Sequence, residues 1–400
     1  MRPESPCFAP RPAPFLAILT ATLLCAAPLA AQASPDVHES ARHGFRVVTV
    51  ADGLANPWSI AWLPNGDMLV TERAGRLRIV RDGKLLPDPV PGVPTVRARG
   101  QGGLLEVRLH PDFATNRLIY LSFAKPNVDA SLATTAVVRG RLDGDRLVDV
   151  EEIFVADAWA GGNVHFAGRM VFDREGYLYL SVGDRGESPN LMADHPAQSL
   201  GQHQGKILRL HDDGRAPADN PFVGQSGAKP EIWSYGQRNP QGLAVHPVTG
   251  EVWENEHGPR GGDEVNLIRK GANYGWPVVS YGINYDGSVY SGETHRQGIE
   301  PPLWTWVPSI ATSGMLFYTG ERFPWWRGSV FVGGLVGEQL ARLTPEGDRV
   351  VSVETLLPGE VGRIRDVRQG PDGLIYLAID GRRGALTAVV RLEPVWHRRR

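Results

Sequence analysis

The chain has 400 residues, and its 47 glycines and 32 prolines make up about a fifth of it, against roughly 12% in average usage; it is turn-rich without being low-complexity. Its 42 basic and 44 acidic side chains leave a formal net charge of -2, which excludes the basic footprint of a nucleic-acid binder. In chain order, Arg2 and Arg11 precede an apolar run over 14–29, followed by Ala31-Gln32-Ala33. This pattern predicts a secretory signal peptide over 1–33, cleaved near Ala33; the run is too short to predict a membrane span. The protein is therefore expected in the periplasm or secreted. The 2 cysteines, Cys7 and Cys25, both fall in that leader, so the mature chain is expected to lack disulfides and thiol chemistry.

After the leader, one pattern recurs: an apolar run, a tight polar turn, then an alternating strand. IAWLPNGDMLVTE and MVFDREGYLYLSV are two of its copies, and Gly66, Asn116, Gly176, Gly250, Gly328 and Gly373 mark the successive turns. Alternating Leu, Tyr and Val around an Asn-Gly, Asp-Gly or Glu-Gly turn predicts a hairpin. Six such units predict an all-β fold, a six-bladed β-propeller of four-stranded antiparallel blades forming one domain over 34–400, with a pair of β-sandwiches as the alternative. Chemistry on a propeller belongs on the loops that converge at one mouth of its central channel.

The chain has no Walker loop, HExxH pair, GxSxG elbow or complete GxGxxG after a strand. Five other stretches combine glycine with polar side chains. Gln101, in Arg99-Gly100-Gln101-Gly102-Gly103, offers a donor and an acceptor beside backbone that a ligand can approach closely. His165, in Gly161-Gly162-Asn163-Val164-His165, reads either as a general base or as a histidine bonded to backbone at the start of a strand. Arg238 and Asn239 set a fixed cation beside an amide before Pro240, suited to an oxyanion or a quinone oxygen. The run from Asn255 to Glu264, followed by Asn273-Tyr274-Gly275-Trp276-Pro277, supplies hard oxygen ligands of the kind calcium prefers, without EF-hand spacing. Arg363 and Arg365 share one face of a strand and call for an anion, whereas Asp366 faces the other way.

Taken together and in this order, the stretches resemble the soluble aldose sugar dehydrogenases that depend on pyrroloquinoline quinone (PQQ). The most specific match is Trp233-Ser234-Tyr235-Gly236-Gln237-Arg238-Asn239-Pro240-Gln241-Gly242 together with Glu256-His257-Gly258-Pro259-Arg260-Gly261-Gly262-Asp263-Glu264. The resemblance implies a six-bladed propeller that oxidises an aldose at its C1 hydroxyl to the lactone and passes electrons to an external acceptor. His165 would take the hydroxyl proton as hydride passes to PQQ C5. Arg238 and Asn239 would face the quinone oxygens, and Gln101, Arg363 and Arg365 would hold the rest of the cofactor. The carbonyls of Gly258 and Pro259 would bind calcium, Glu264 and Tyr274 would surround a further calcium, and Trp304 and Trp306 would offer the sugar an aromatic platform or else pack in the core. Two positions depart from the family pattern. Val336 stands where relatives often carry a lysine, which either weakens cofactor binding or leaves Arg185 or another cation to substitute, and Val164 precedes the base where relatives are often polar. The alternatives are a non-catalytic propeller that binds a sugar or protein, and a calcium-dependent lactonase.

Overall fold

The computed structural model describes residues 37–395; the leader, both cysteines and Ala33 lie outside the described residues. Six antiparallel sheets follow one another along the chain, five of four strands and a last one of five. Blade 1 runs from Pro57–Trp62 to Lys84–Leu85, and blade 2 from Leu104–Leu109 to Arg146–Val155. Blade 3 runs from Ala167–Phe172 to Ile232–Tyr235, blade 4 from Pro240–Val245 to Trp304–Trp306, and blade 5 from Thr312–Phe317 to Val350–Leu356. Blade 6 comprises Arg363–Gln369, Ile375–Asp380 and Leu386–Val395, and is completed by Gly44–Ala55 from the other end of the chain. The first strand of each blade packs against the first strands of both neighbours, so these six ring the channel of a six-bladed propeller.

Each of the six turn markers falls between the first and second strands of its blade, as the hairpin pattern predicts. The single α-helix among the described residues, Phe113–Asn116, is the turn of blade 2. No helix among them is long and apolar enough to cross a membrane. Apolar side chains alternate into the seams between blades. Trp253, Val265 and Met315 join blades 4 and 5, and Leu104, Ile119 and Leu69 join blades 1 and 2.

All six inner strands break register near their starting ends, at Pro57/Ser59, Leu104/Val107, Ala167/Met170, Pro240/Gly242, Thr312/Met315 and Ile364/Asp366. A bulge leaves a residue without a ladder partner and re-aims its side chain. Trp58, Gln241 and Arg365 are bulge residues that reach the cavity at the mouth. Glu106 and Arg169, also from bulges, pair across the channel at 2.7 Å, and Asp366 accepts from Arg169 at 3.0 Å and from Arg368 at 2.8 Å. Arg368 closes the ring on Glu106 at 2.6 Å, with every member buried. This charged cluster lies buried among the inner strands of blades 2, 3 and 6, and Arg169 stacks 4.1 Å from the centroid of Trp58.

Candidate active site

Loops that lead into the inner strands meet loops that leave the second strands, and between them lies a cavity of about 230 Å³. Its walls include Trp58, Arg73, Gln101, Phe166, Gln241, His257, Tyr285, Val336, Arg363 and Arg365, contributed by every blade.

His165 stands beside this wall with φ 51, a conformation that turns its ring out of the strand direction of Ala167–Phe172. Gly183 makes that possible, because a Cβ there would lie 2.2 Å from the His165 carbonyl oxygen. The His165 amide donates to Gln101 Oε1 at 2.7 Å, so Gln101 positions the base. The ring Nδ1 sits 2.6 Å from Asp184 Oδ1, and Nε2 has no hydrogen bond among the described residues. Burial lowers the His165 pKa below the usual imidazole value, Asp184 opposes this, and Arg238 and Arg185 reinforce it. The ring is thus neutral near pH 7, with its Nδ1 hydrogen on the carboxylate and the Nε2 lone pair available. Asp184 also accepts from Trp276 Nε1 and the Gly186 amide, both at 2.8 Å. Against the burial that would raise its pKa, His165 and Arg238 hold Asp184 ionised. Asp184 carries little signal in the sequence: it is an acid one glycine beyond the strand Leu178–Val182.

The opposite wall is cationic. Arg363 and Arg365 both line the cavity and lie 3.4 and 3.6 Å from Asp380 Oδ2. Arg363 donates to the Leu335 carbonyl at 3.1 Å, and Arg365 to Gln241 Oε1 at 3.1 Å. Because a guanidinium can only donate, this last bond fixes a chain of orientations. Gln241 Nε2 then donates to Asn239 Oδ1 at 3.0 Å, Asn239 Nδ2 points at His257 Nδ1 at 3.4 Å, and His257 Nε2 meets the Thr312 carbonyl at 2.5 Å. His257 must be neutral to serve at both ends, and burial pushes its pKa down to about 3. Asn239 is therefore buried behind Gln241 and His257 rather than in the cavity wall. Arg185, a cation that could substitute for a lysine at Val336, is committed elsewhere: it donates to the carbonyls of Val164 and Gly162 and stacks 3.4 Å from the Phe166 centroid. Val336 lines the rim, 65% exposed and uncharged.

Beside the cavity lies a chamber of about 10 Å³, near the smallest space that holds a single water, lined by Arg238, Glu256, Gly258, Glu264 and Tyr274 among others. Glu256 and Glu264 face each other directly across paired strands. Burial, then Asp263, raises the Glu264 pKa to about 7, and burial with Glu264 raises that of Glu256. Glu256 accepts from the Arg238 and Asn239 amides, and Glu264 from Asn266 at 3.3 Å. Arg238 occupies the Gly258 carbonyl at 2.8 Å and retains a buried Nε without a partner. Pro259 does not line the chamber. Trp304 and Trp306 sit on the outermost strand of blade 4, far along the sheet from the channel, and pack against the cluster of Trp253 and Val265; neither lines the cavity. The aromatic side chains that do are Trp58, Phe166 and Tyr285, the last 72% exposed.

The family model for glucose/sorbosone dehydrogenase matches residues 54–388, covering all six inner strands and the cavity. The chain belongs to the glucose/sorbosone dehydrogenase family. Membership makes it an oxidoreductase acting on sugars. It is 45% identical over 349 residues to the aldose sugar dehydrogenase YliI of Escherichia coli, covering 86% of this chain and 92% of that one. Among solved structures it resembles the apo-form of the E. coli soluble aldose sugar dehydrogenase, at 42% identity and TM-score 0.82 over 88% of this chain and 100% of that one. It also resembles the PQQ-bound form of aldose sugar dehydrogenase from Streptomyces coelicolor, at 29% identity and TM-score 0.70 over 88% and 98% of the two chains.

Proposed function

We propose that the enzyme oxidises aldoses at the C1 hydroxyl to the lactone, with PQQ as cofactor and an external acceptor for the electrons. The observation that carries this reading is a neutral His165, held by Asp184 with its Nε2 free, beside a cavity walled by arginines. The donor set fits PQQ: guanidinium groups for its carboxylates, Trp58 and Tyr285 for its flat rings, and the unpartnered Nε of Arg238 close to the base for charge on a quinone oxygen. The PQQ-bound relative supports the same cofactor. Bound PQQ supplies the acceptor to which the sugar C1 hydride goes.

His165 takes the hydroxyl proton at Nε2, because hydride loss from a neutral alcohol would leave a protonated carbonyl. The imidazolium so formed is stabilised by the Asp184 carboxylate. Gln101 holds the backbone of the base, Arg363 and Arg365 hold carboxylates, and the chain of amides behind them keeps Gln241 and Asn239 in one orientation. Glu256 and Glu264, two opposed buried carboxylates around an ion-sized chamber, fit a calcium ion better than they fit each other. Gly258 and Tyr274 also line that chamber, and the Gly258 carbonyl would add an oxygen donor once Arg238 turns away from it toward the cofactor. The leader pattern supports a periplasmic or secreted location.

The test adds PQQ and Ca²⁺ to metal-free protein and follows dye reduction with glucose. Aldose-dependent reduction that disappears in His165→Ala is the expected result. Its absence from the wild type at saturating PQQ would end the dehydrogenase reading, and lactone opening alone would replace it with a hydrolase.

A further inference from the structure

Arg73 is the first residue after the second strand of blade 1, Met68–Glu72, and lines the cavity together with Arg363 and Arg365. No role for Arg73 follows from the motifs of the chain or from the family resemblance. Its guanidinium has no hydrogen bond or ion pair among the described residues. The other two guanidinium groups of the cavity wall do have partners, Arg363 on the Leu335 carbonyl and Arg365 on Gln241 Oε1. Three guanidinium groups therefore face a single carboxylate, Asp380, which also accepts from Asn56 at 2.8 Å. Burial lowers the Arg365 pKa to about 10, and repulsion from Arg73 and Arg363 contributes to the shift. Three like charges against one carboxylate leave an excess of positive charge that costs stability unless a further anion joins them.

The backbone of Arg73 is fixed on both sides. Its amide donates to the Asn56 carbonyl at 3.1 Å, and its own carbonyl accepts from the Leu104 amide at 3.1 Å. Gly103, with φ 143, allows this close approach, since a Cβ there would lie 1.9 Å from the Arg73 oxygen. The backbone of Arg73 is thus anchored at the cavity wall, and its guanidinium, with no hydrogen bond among the described residues, is available to a ligand.

We propose that Arg73 is the third guanidinium of the carboxylate cradle and binds a carboxylate of PQQ. This rests on the cofactor reading above. Arg73 supplies from blade 1 the positive charge that Val336 does not supply from blade 5.

Equilibrium dialysis of PQQ against the protein in Ca²⁺, without sugar or acceptor, reads binding directly. Arg73→Gln should raise Kd about ten- to a hundredfold, the range of a charge-assisted hydrogen bond to a carboxylate. Arg73→Lys should recover part of the loss, and Arg327→Gln, an exposed arginine in the turn between the first two strands of blade 5, should leave Kd unchanged. With PQQ trimethyl ester as the probe, wild type and Arg73→Gln should bind within about twofold of each other. Equal Kd values for PQQ itself in wild type and Arg73→Gln would overturn the role of Arg73 while leaving the cofactor reading intact. Failure of the wild type to bind PQQ would remove the cofactor reading and the proposal together. Melting temperatures of the variants separate lost binding from lost folding. Should Arg73→Gln not fold, the same comparison runs on Arg73→Met, and a Met variant that binds both probes as the wild type does would overturn the proposal.

Discussion

Asp184 accepts hydrogen bonds from three directions, His165 and the Gly186 amide on Oδ1 and Trp276 on Oδ2. An amide of the same shape has one acceptor oxygen, so Asp184→Asn must turn an N–H toward either the imidazole or the indole. His165→Ala should lower kcat by about 10²- to 10⁴-fold, the usual worth of a general base, with Asp184→Asn falling between it and the wild type. The pH dependence tests the same pair. Burial already sets the His165 pKa below 6.5, so wild-type activity should decline only as pH falls through that lowered value. Asp184 raises this pKa, so removing its charge should move the acid limb of kcat/KM to still lower pH while the plateau drops. A limb that moved upward would contradict the assigned dyad. His165 was legible in the sequence by its glycine-rich surroundings. Asp184 was not, because its role depends on Trp276 and His165 arriving from two distant loops.

Strand pairing sets the remaining chemistry. Glu256 and Glu264 are directly opposed on adjacent strands of blade 4, an arrangement that destabilises a sheet unless a cation lies between them. Chelation should therefore lower the melting temperature and Ca²⁺ restore it, the gain reaching about 2.7 kcal/mol at a hundred times Kd. Glu264→Gln should abolish most of the calcium response and, in chelator, melt no lower than the wild type, since one of the two opposed buried carboxyl groups that resist ionisation is gone. Thermal melts with and without Ca²⁺ read both effects. The oxygen-rich run that contains Glu264 was visible in the sequence, but its register against Glu256 was not. The bulges were equally hidden. Strict alternation puts Arg363 and Arg365 on one face, and the structure places both on the cavity, yet the inner strand breaks register at Arg365. Trp304 and Trp306 show the converse. Their residue type suited a sugar platform, but their strand is the outermost of blade 4, where an aromatic ring packs between sheets.

The whole ring is held at its seam and at its axis. Gly44–Ala55 pairs with Leu386–Val395, so residues from opposite ends of the chain complete one blade. At the axis, Glu106 accepts from Arg169 and Arg368, bringing blades 2, 3 and 6 together in a fully buried cluster. Asp366 stays ionised there against the pull of burial, through Arg368 and Arg169. Removing one partner strands buried charge, so Glu106→Ala should cost about 3–5 kcal/mol, measured by urea unfolding. A loss under about 1 kcal/mol would mean that the cluster is solvated.

Sequence by itself determined the six hairpins, the all-β class, and the stretches that hold His165, Arg238, Glu264, Arg363 and Arg365, because turns and strand alternation are local and glycine-rich polar loops stand out from them. Only tertiary structure decided which of those residues meet: Asp184 under His165, Arg73 beside Arg363 and Arg365, Gln241 in the wall and Asn239 behind it. Those contacts join loops of different blades, and their positions follow from bulges and from ring closure, neither of which leaves a periodic trace in the chain.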